Sequence, residues 1–213
     1  MNSKRIKGVS VIRPIVYGNL SVPLTTKKAQ DPDHTHKWTV SVRGANNEDI
    51  SHFVKKVVFK LHETYPNATR VIESSPFELS ETGWGEFEIV IKIYFNPLSG
   101  EKPVTLYHHL RLHPYTEDAL LAGQNSIQKM KSVVSYNYDE IVFNEPTEEF
   151  YEVLLKNTNS LLPAKRTPNQ PYCTQTEQEE IERLDAAIRK VQEQQASIKE
   201  RLLAAERELQ QLK

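Results

Sequence analysis

From residue 5 to about residue 143 the chain alternates apolar and polar positions with a period of two. In KWTVSVRG, Trp38, Val40 and Val42 share one face, Thr39, Ser41 and Arg43 the other, and Gly44 ends the run. In FEIVIKIYF, Phe87, Ile89, Ile91, Ile93 and Phe95 oppose Glu88, Val90, Lys92 and Tyr94, and in PVTLYHHLRL, Val104, Leu106, His108, Leu110 and Leu112 align. GVSVIRPIVYG, HFVKKVVFKLH, RVIES, PFELSE and VVSYNYDEIVF complete the strand candidates, each bounded by Pro, Gly, Asn or Asp. FVKKVVFKL has some helical character, but its β-branched residues and phenylalanines favour a strand. Seven or eight short strands without interleaved helices predict a mainly β fold: an immunoglobulin-like antiparallel β-sandwich, followed by a short helix and a C-terminal coiled-coil helix.

The pattern changes after residue 143. NEPTEEFYEVLLKN offers Thr147 as an N-cap, with Glu148 and Glu149 in the first turn, and so predicts a short helix. TNSLLPAKRTPNQPYCTQ, with three prolines, reads as a linker. From Thr176, with Glu179 completing a capping-box pattern, Ile181, Leu184, Ile188, Val191, Gln195, Ile198, Leu202, Ala205, Leu209 and Leu212 recur at alternating spacings of three and four. A helix of that length spans roughly 55 Å at the standard rise, so its apolar seam needs a partner helix. Arg201 against Glu206 and Glu208 against Lys213 carry opposite signs across a parallel homodimer, whereas Gln195 and Ala205 weaken the seam in the way a heterotypic pairing would allow. The expected division is a sandwich domain over 1–145, helix and linker over 146–175, and coiled coil over 176–213.

Composition narrows the function classes. Of 213 residues, 38% are hydrophobic and 26% charged, with a net charge of -1, which disfavours non-specific attraction to nucleic acid or an anionic membrane. The single cysteine, Cys173, excludes an internal disulfide framework and a multi-cysteine zinc site and fits a reducing compartment. No signal peptide or membrane span is expected. There is no Gly-rich phosphate loop, nucleophile elbow or Cys/His motif, so a non-enzyme is expected. His34 and His36 stand two apart, but no third ligand is positioned by the sequence, so neither a metal nor another cofactor is expected.

Three segments concentrate residues that a sandwich framework does not need: DHTHKW (33–38), LHETYP (61–66) and ETGWGEF (81–87). In the last, a tryptophan stands between Gly83 and Gly85. Flanking glycines permit a tight turn or close approach of another chain, which points to contact with a ligand. Glu86 and Glu88 are expected to be solvated.

KGVSVIRPIVYGN, HTHKWTV, VKKVVFKLHETYPN, ETGWGEFEIVIKIYF and KPVTLYHHLRL resemble, in order, the YEATS-domain family of chromatin readers. The similarity covers residues 5 to 143 and extends to the coiled coil of one subgroup, whose members are shared subunits of histone acetyltransferase and histone-exchange remodelling complexes. The resemblance implies a nuclear reader of acyl-lysine, acetyl or crotonyl, on histone tails. It places the aromatic walls at Tyr65 and Trp84, Phe87 at the channel end, His34 and His62 at the flanks, and the hydroxyl of Thr64 where the family usually has serine. The Trp84 amide would meet the acyl carbonyl, with the Gly83 and Gly85 peptides lining the slot. Acylation leaves lysine a neutral planar amide on an apolar stem, and flat aromatic walls with amide hydrogen bonds match it. Two alternatives stay open: a methyl-lysine cage, given Asp33, Glu63 and Glu86 nearby, and a structural adaptor that works through its coiled coil alone. The expected partners are acylated histone peptides and other complex subunits, or a second copy, met through the seam.

Overall fold

The computed structural model describes residues 4–24, 33–114, 132–157, 164–166 and 172–211. Leu212 of the predicted seam, Lys213 beside it, and most of the proline linker lie outside the described residues. The chain falls into two compact units, Met1–Leu161 and Leu162–Lys213.

The first unit is a two-layer sandwich with eight strands among the described residues. One sheet has the order β5-β2-β1-β8 and the other β4-β3-β6-β7, and every pairing is antiparallel. The strands are β1 (Ser10–Pro23), β2 (His36–Gly44), β3 (Val54–Lys60), β4 (Thr69–Ile72), β5 (Phe77–Gly83), β6 (Glu88–Phe95), β7 (Val104–His109) and β8 (Val133–Asn144). The alternation maps directly onto the layers: Trp38, Val40 and Val42 of β2 face Ile89, Ile91 and Ile93 of β6 through one core, all essentially inaccessible to water. Burial of this kind contributes about 25 cal/mol per Å² of apolar surface. The run read as GVSVIRPIVYG continues to Pro23, because β1 pairs along its whole length with both β2 and β8. β7 is shorter than its pattern. It ends at His109, while Leu110 and Leu112 remain buried beyond the ladder.

A buried polar network fixes that continuation. The His108 Nε2–H donates to Asn19 Oδ1 at 2.7 Å, and Asn137 Nδ2 donates to His108 Nδ1 at 3.3 Å. Asn19 Oδ1 also accepts the Arg111 amide at 3.0 Å, and Asn19 Nδ2 and Ser21 Oγ donate to the Arg111 carbonyl at 2.8 and 2.7 Å. Burial first, then the charges of His109 and Arg111, lower the His108 pKa to about 4, consistent with a neutral ring.

At the opposite end, helix α1 (Glu148–Lys156) begins at Thr147, whose Oγ1 accepts the Phe150 amide at 3.3 Å as expected of an N-cap. Phe150 packs edge-on against Phe143 at 5.0 Å. Arg13, buried in the sandwich, donates to the Leu154 and Asn157 carbonyls at the helix C-terminus.

The second unit contains helix α2 (Thr174–Gln211), 38 residues long. It starts two residues before the expected cap. The Thr176 amide points to Cys173 Sγ at 3.4 Å and the Glu177 amide to the Cys173 carbonyl at 3.1 Å, so Cys173 takes the capping role read for Thr176. Ile181, Leu184, Ile188, Val191, Ile198, Leu202 and Leu209 are each 47–63% exposed, so the apolar stripe is unpartnered in the single chain. No described helix is long and apolar enough to cross a membrane.

Candidate functional site

The three ligand-type segments meet at one end of the sandwich because of strand register. His36 at the start of β2 lies opposite Gly83 at the end of β5, and Lys60 at the end of β3 lies opposite Val90 near the start of β6. His34, His62, Thr64, Tyr65, Gly83, Trp84, Gly85 and Phe87 therefore line a single cavity of about 410 Å³, together with Pro66 and Glu86.

Its floor is aromatic. The buried Trp38 stands edge-on to Tyr65 and Phe87, with centroids 5.9 and 6.0 Å away, and Tyr65 and Phe87 lie tilted at 5.6 Å. His62 joins Phe87 at 6.0 Å. Trp84 differs from these. It is 69% exposed, and no described ring contact involves it, so its faces are available to a ligand. An indole standing in water beside an aromatic floor is one half of an unfilled sandwich.

Polar groups fix the walls. The Tyr65 hydroxyl donates to the Thr82 carbonyl at 3.1 Å, and burial pushes its pKa up, so it stays a phenol. The Thr82 hydroxyl also bonds His34 Nδ1 at 2.7 Å, so one residue that sequence reasoning missed holds two walls. His62 Nδ1 receives the Thr64 amide at 3.4 Å and therefore carries its lone pair. The Thr64 hydroxyl, 3.0 Å away, donates to it, which leaves the hydroxyl oxygen free to accept a ligand N–H. His34 and His36 engage different partners: His36 Nδ1 contacts Thr35 Oγ1 at 2.8 Å, and its ring meets His113 edge-on at 5.0 Å.

Two expectations are corrected. Gly83 and Gly85 do not adopt a positive φ, so no tight turn requires them. Gly83 is needed for space: a Cβ there would stand 2.3 Å from the Tyr65 hydroxyl, whereas one on Gly85 would meet nothing within 4 Å. Glu86 is not solvated either. Its Oε1 accepts the Leu112 and His113 amides at 2.7 and 3.0 Å, and its Oε2 accepts Arg111 Nη1 at 3.2 Å. Burial raises its pKa, but these donors more than offset that and hold it below the usual carboxylate range. Glu88, two residues further on at the start of β6, is exposed as read.

The YEATS family model matches residues 33–114, a span that holds every residue of the cavity. The AF-9 homolog of Eremothecium gossypii is 51% identical over 207 residues, covering 94% of this chain and 95% of that protein. The chain belongs to the YEATS family. Its sandwich superposes on solved YEATS domains: that of Yaf9 bound to H3K27ac, at 52% identity and a TM-score of 0.61, and that of Yaf9 recognising an H3K122suc peptide, at 52% and 0.60. Each comparison covers 72% of this chain and 99% of the solved one. Those YEATS domains bind acylated histone peptides.

Proposed function

We propose that this protein is a nuclear, non-enzymatic chromatin reader whose sandwich, residues 1–145, binds acylated lysine on histone tails. The observation that carries this reading is the exposed Trp84 sharing one cavity with the Tyr65 and Phe87 rings, hydroxyl and backbone groups, and one carboxylate, Glu86, that is already bonded to protein donors. The lysine stem and planar acyl amide enter between Tyr65 and Trp84, the acyl N–H donates to Thr64 Oγ1, and the acyl carbonyl accepts the Trp84 amide. His34 and His62 flank the stem, Gly83 and Gly85 line the slot, and Phe87 closes it. Each ring face contributes about 0.5–1.5 kcal/mol beyond area burial. A flat crotonyl group presents more area to the two faces than acetyl does. The binding of H3K27ac and H3K122suc by similar YEATS domains supports the substrate class.

A methyl-lysine cage fits less well. The carboxylate that reaches the cavity, Glu86, is already committed to two amides and Arg111 and is poorly placed to hold a cation. The seam of α2 joins the reader to other subunits of acetyltransferase and remodelling complexes, or to a second copy, with 146–175 as helix and tether and 176–213 as coiled coil.

The test is calorimetric titration of the full chain with one histone-tail peptide in unmodified, acetylated, crotonylated and trimethylated forms, repeated with Trp84→Ala. Binding of the acylated forms alone, lost in a folded Trp84→Ala, is the expected result. Preference for the trimethyl form, or unchanged affinity in the variant, refutes the reading.

A further inference from the structure

The slot's outer wall is carried by the short connection between β5 and β6, residues Trp84 to Phe87, and a wall bearing an exposed ring binds well only if its backbone is held before the ligand arrives. Within that connection, Gly85 has open space around it and Trp84 is exposed. Glu86 is the residue with side-chain bonds reaching elsewhere. Its two oxygens collect three donors, all from the segment that follows β7: the Leu112 amide, the His113 amide and the Arg111 guanidinium. The Leu110 amide adds a backbone bond to the Phe87 carbonyl at 2.8 Å.

The receiving segment is itself anchored inside the sandwich. Both backbone groups of Arg111 are bonded to Asn19, its carbonyl also takes Ser21 Oγ, and Asn19 is bonded to the buried His108. Leu110 and Leu112 are buried on either side. A continuous path of hydrogen bonds therefore runs from the interior, through Asn19 and Arg111, to the Glu86 carboxylate and into the Trp84 connection.

We propose that Glu86 is a positioning residue of the acyl-lysine slot, its carboxylate keying the Trp84 connection to the segment Leu110–His113 so that the outer aromatic wall is in place before the ligand enters. This rests on the acyl-lysine reading of the cavity. Glu86 makes no contact with the acyl group and acts through Trp84. One oxygen, Oε1, takes both amides, so glutamine in the same rotamer keeps those two bonds and loses the one to Arg111. Alanine loses all three and leaves two amides and a guanidinium without their acceptor.

The experiment compares wild type, Glu86→Gln and Glu86→Ala as full chains. It measures affinity for an acetylated histone-tail peptide, the thermal midpoint, and amide hydrogen exchange at Leu110, Leu112 and His113. Glu86→Ala is expected to bind about tenfold more weakly, as it would if the competent arrangement fell to about one molecule in ten, with faster exchange at all three amides. Glu86→Gln should stay within about threefold of wild type and keep the Leu112 and His113 amides protected. A purely structural role would lower the midpoint in both variants without separating their affinities. Wild-type affinity in Glu86→Ala, or equal losses in the two variants, overturns the positioning role while leaving the acyl-lysine reading intact. If wild type itself binds no acylated peptide, that reading fails, and exchange decides the clamp: unchanged protection in Glu86→Ala overturns it.

Discussion

Gly83→Ala probes the slot through a single methyl group. The added Cβ would lie 2.3 Å from the Tyr65 hydroxyl, and ordinary contact begins at 3.4 Å, so the phenol must move by roughly 1 Å. The ring cannot swing freely, because Trp38 and Phe87 pack against it at 5.9 and 5.6 Å and its hydroxyl is held by the Thr82 carbonyl at 3.1 Å. Overpacking of this sort costs about 1–3 kcal/mol, and loss of the hydroxyl bond costs about 1 kcal/mol. Tyr65→Phe removes the clashing atom together with that bond. The double variant should therefore be about as stable as Tyr65→Phe alone, with a favourable coupling of about 1–3 kcal/mol. Urea denaturation of the four proteins gives the cycle, and titration with an acetylated peptide gives its counterpart in binding. Gly83→Ala should weaken binding by displacing one wall, and the double variant should recover most of it. Simple addition of the two losses would show that Gly83 is not there to make room for Tyr65.

Two further predictions concern the sandwich interior and the helix. His108, held neutral down to about pH 4 against 6.5 in the unfolded chain, has a depressed folded pKa. Its penalty is absent above 6.5 and grows as pH falls toward 4, reaching about 3 kcal/mol at about 1.36 kcal/mol per unit. His36 and His52, both pushed down chiefly by burial, act in the same direction. Urea denaturation at pH 7 and pH 4.5 should show His108→Gln less acid-sensitive than wild type, and an unaltered difference would count against a neutral buried ring. Leu202→Pro breaks α2 at a cost of about 3 kcal/mol. It should abolish assembly measured by sedimentation while leaving acyl-peptide affinity unchanged, and persistence of the assembly would exclude the seam as its basis.

The framework was legible because β-strand alternation reports burial directly: Trp38 and the isoleucines of β6 could be placed on the core face from spacing alone. The ends of elements were less so. β1 runs on through Gly18 to Pro23, and α2 is capped by a cysteine three residues before its threonine signal, because pairing and local bonds rather than pattern decide them. In the cavity, residues with a distinctive chemistry, such as Trp84 and Tyr65, stood out in the sequence. Thr82 did not, and Glu86 was read as a solvated or cage carboxylate rather than as the acceptor of three distant donors. Each sits in an ordinary polar position of a strand or loop, and its partners are 17 to 48 residues away in sequence and come together only through the register of the sheets. Gly83 was noticed for the wrong reason, since its small size answers to the Tyr65 hydroxyl and not to the backbone.

In the proposed reader the acyl amide lies between Tyr65 and Trp84. The most direct measurement is a set of intermolecular nuclear Overhauser effects from the olefinic and methyl protons of a crotonylated histone-tail peptide bound to the isotope-labelled full chain. Contacts to the ring protons of Tyr65, Trp84 and Phe87 and upfield ring-current shifts of the acyl protons are expected. A bound peptide whose acyl protons show neither, or contact a different surface, would contradict that placement.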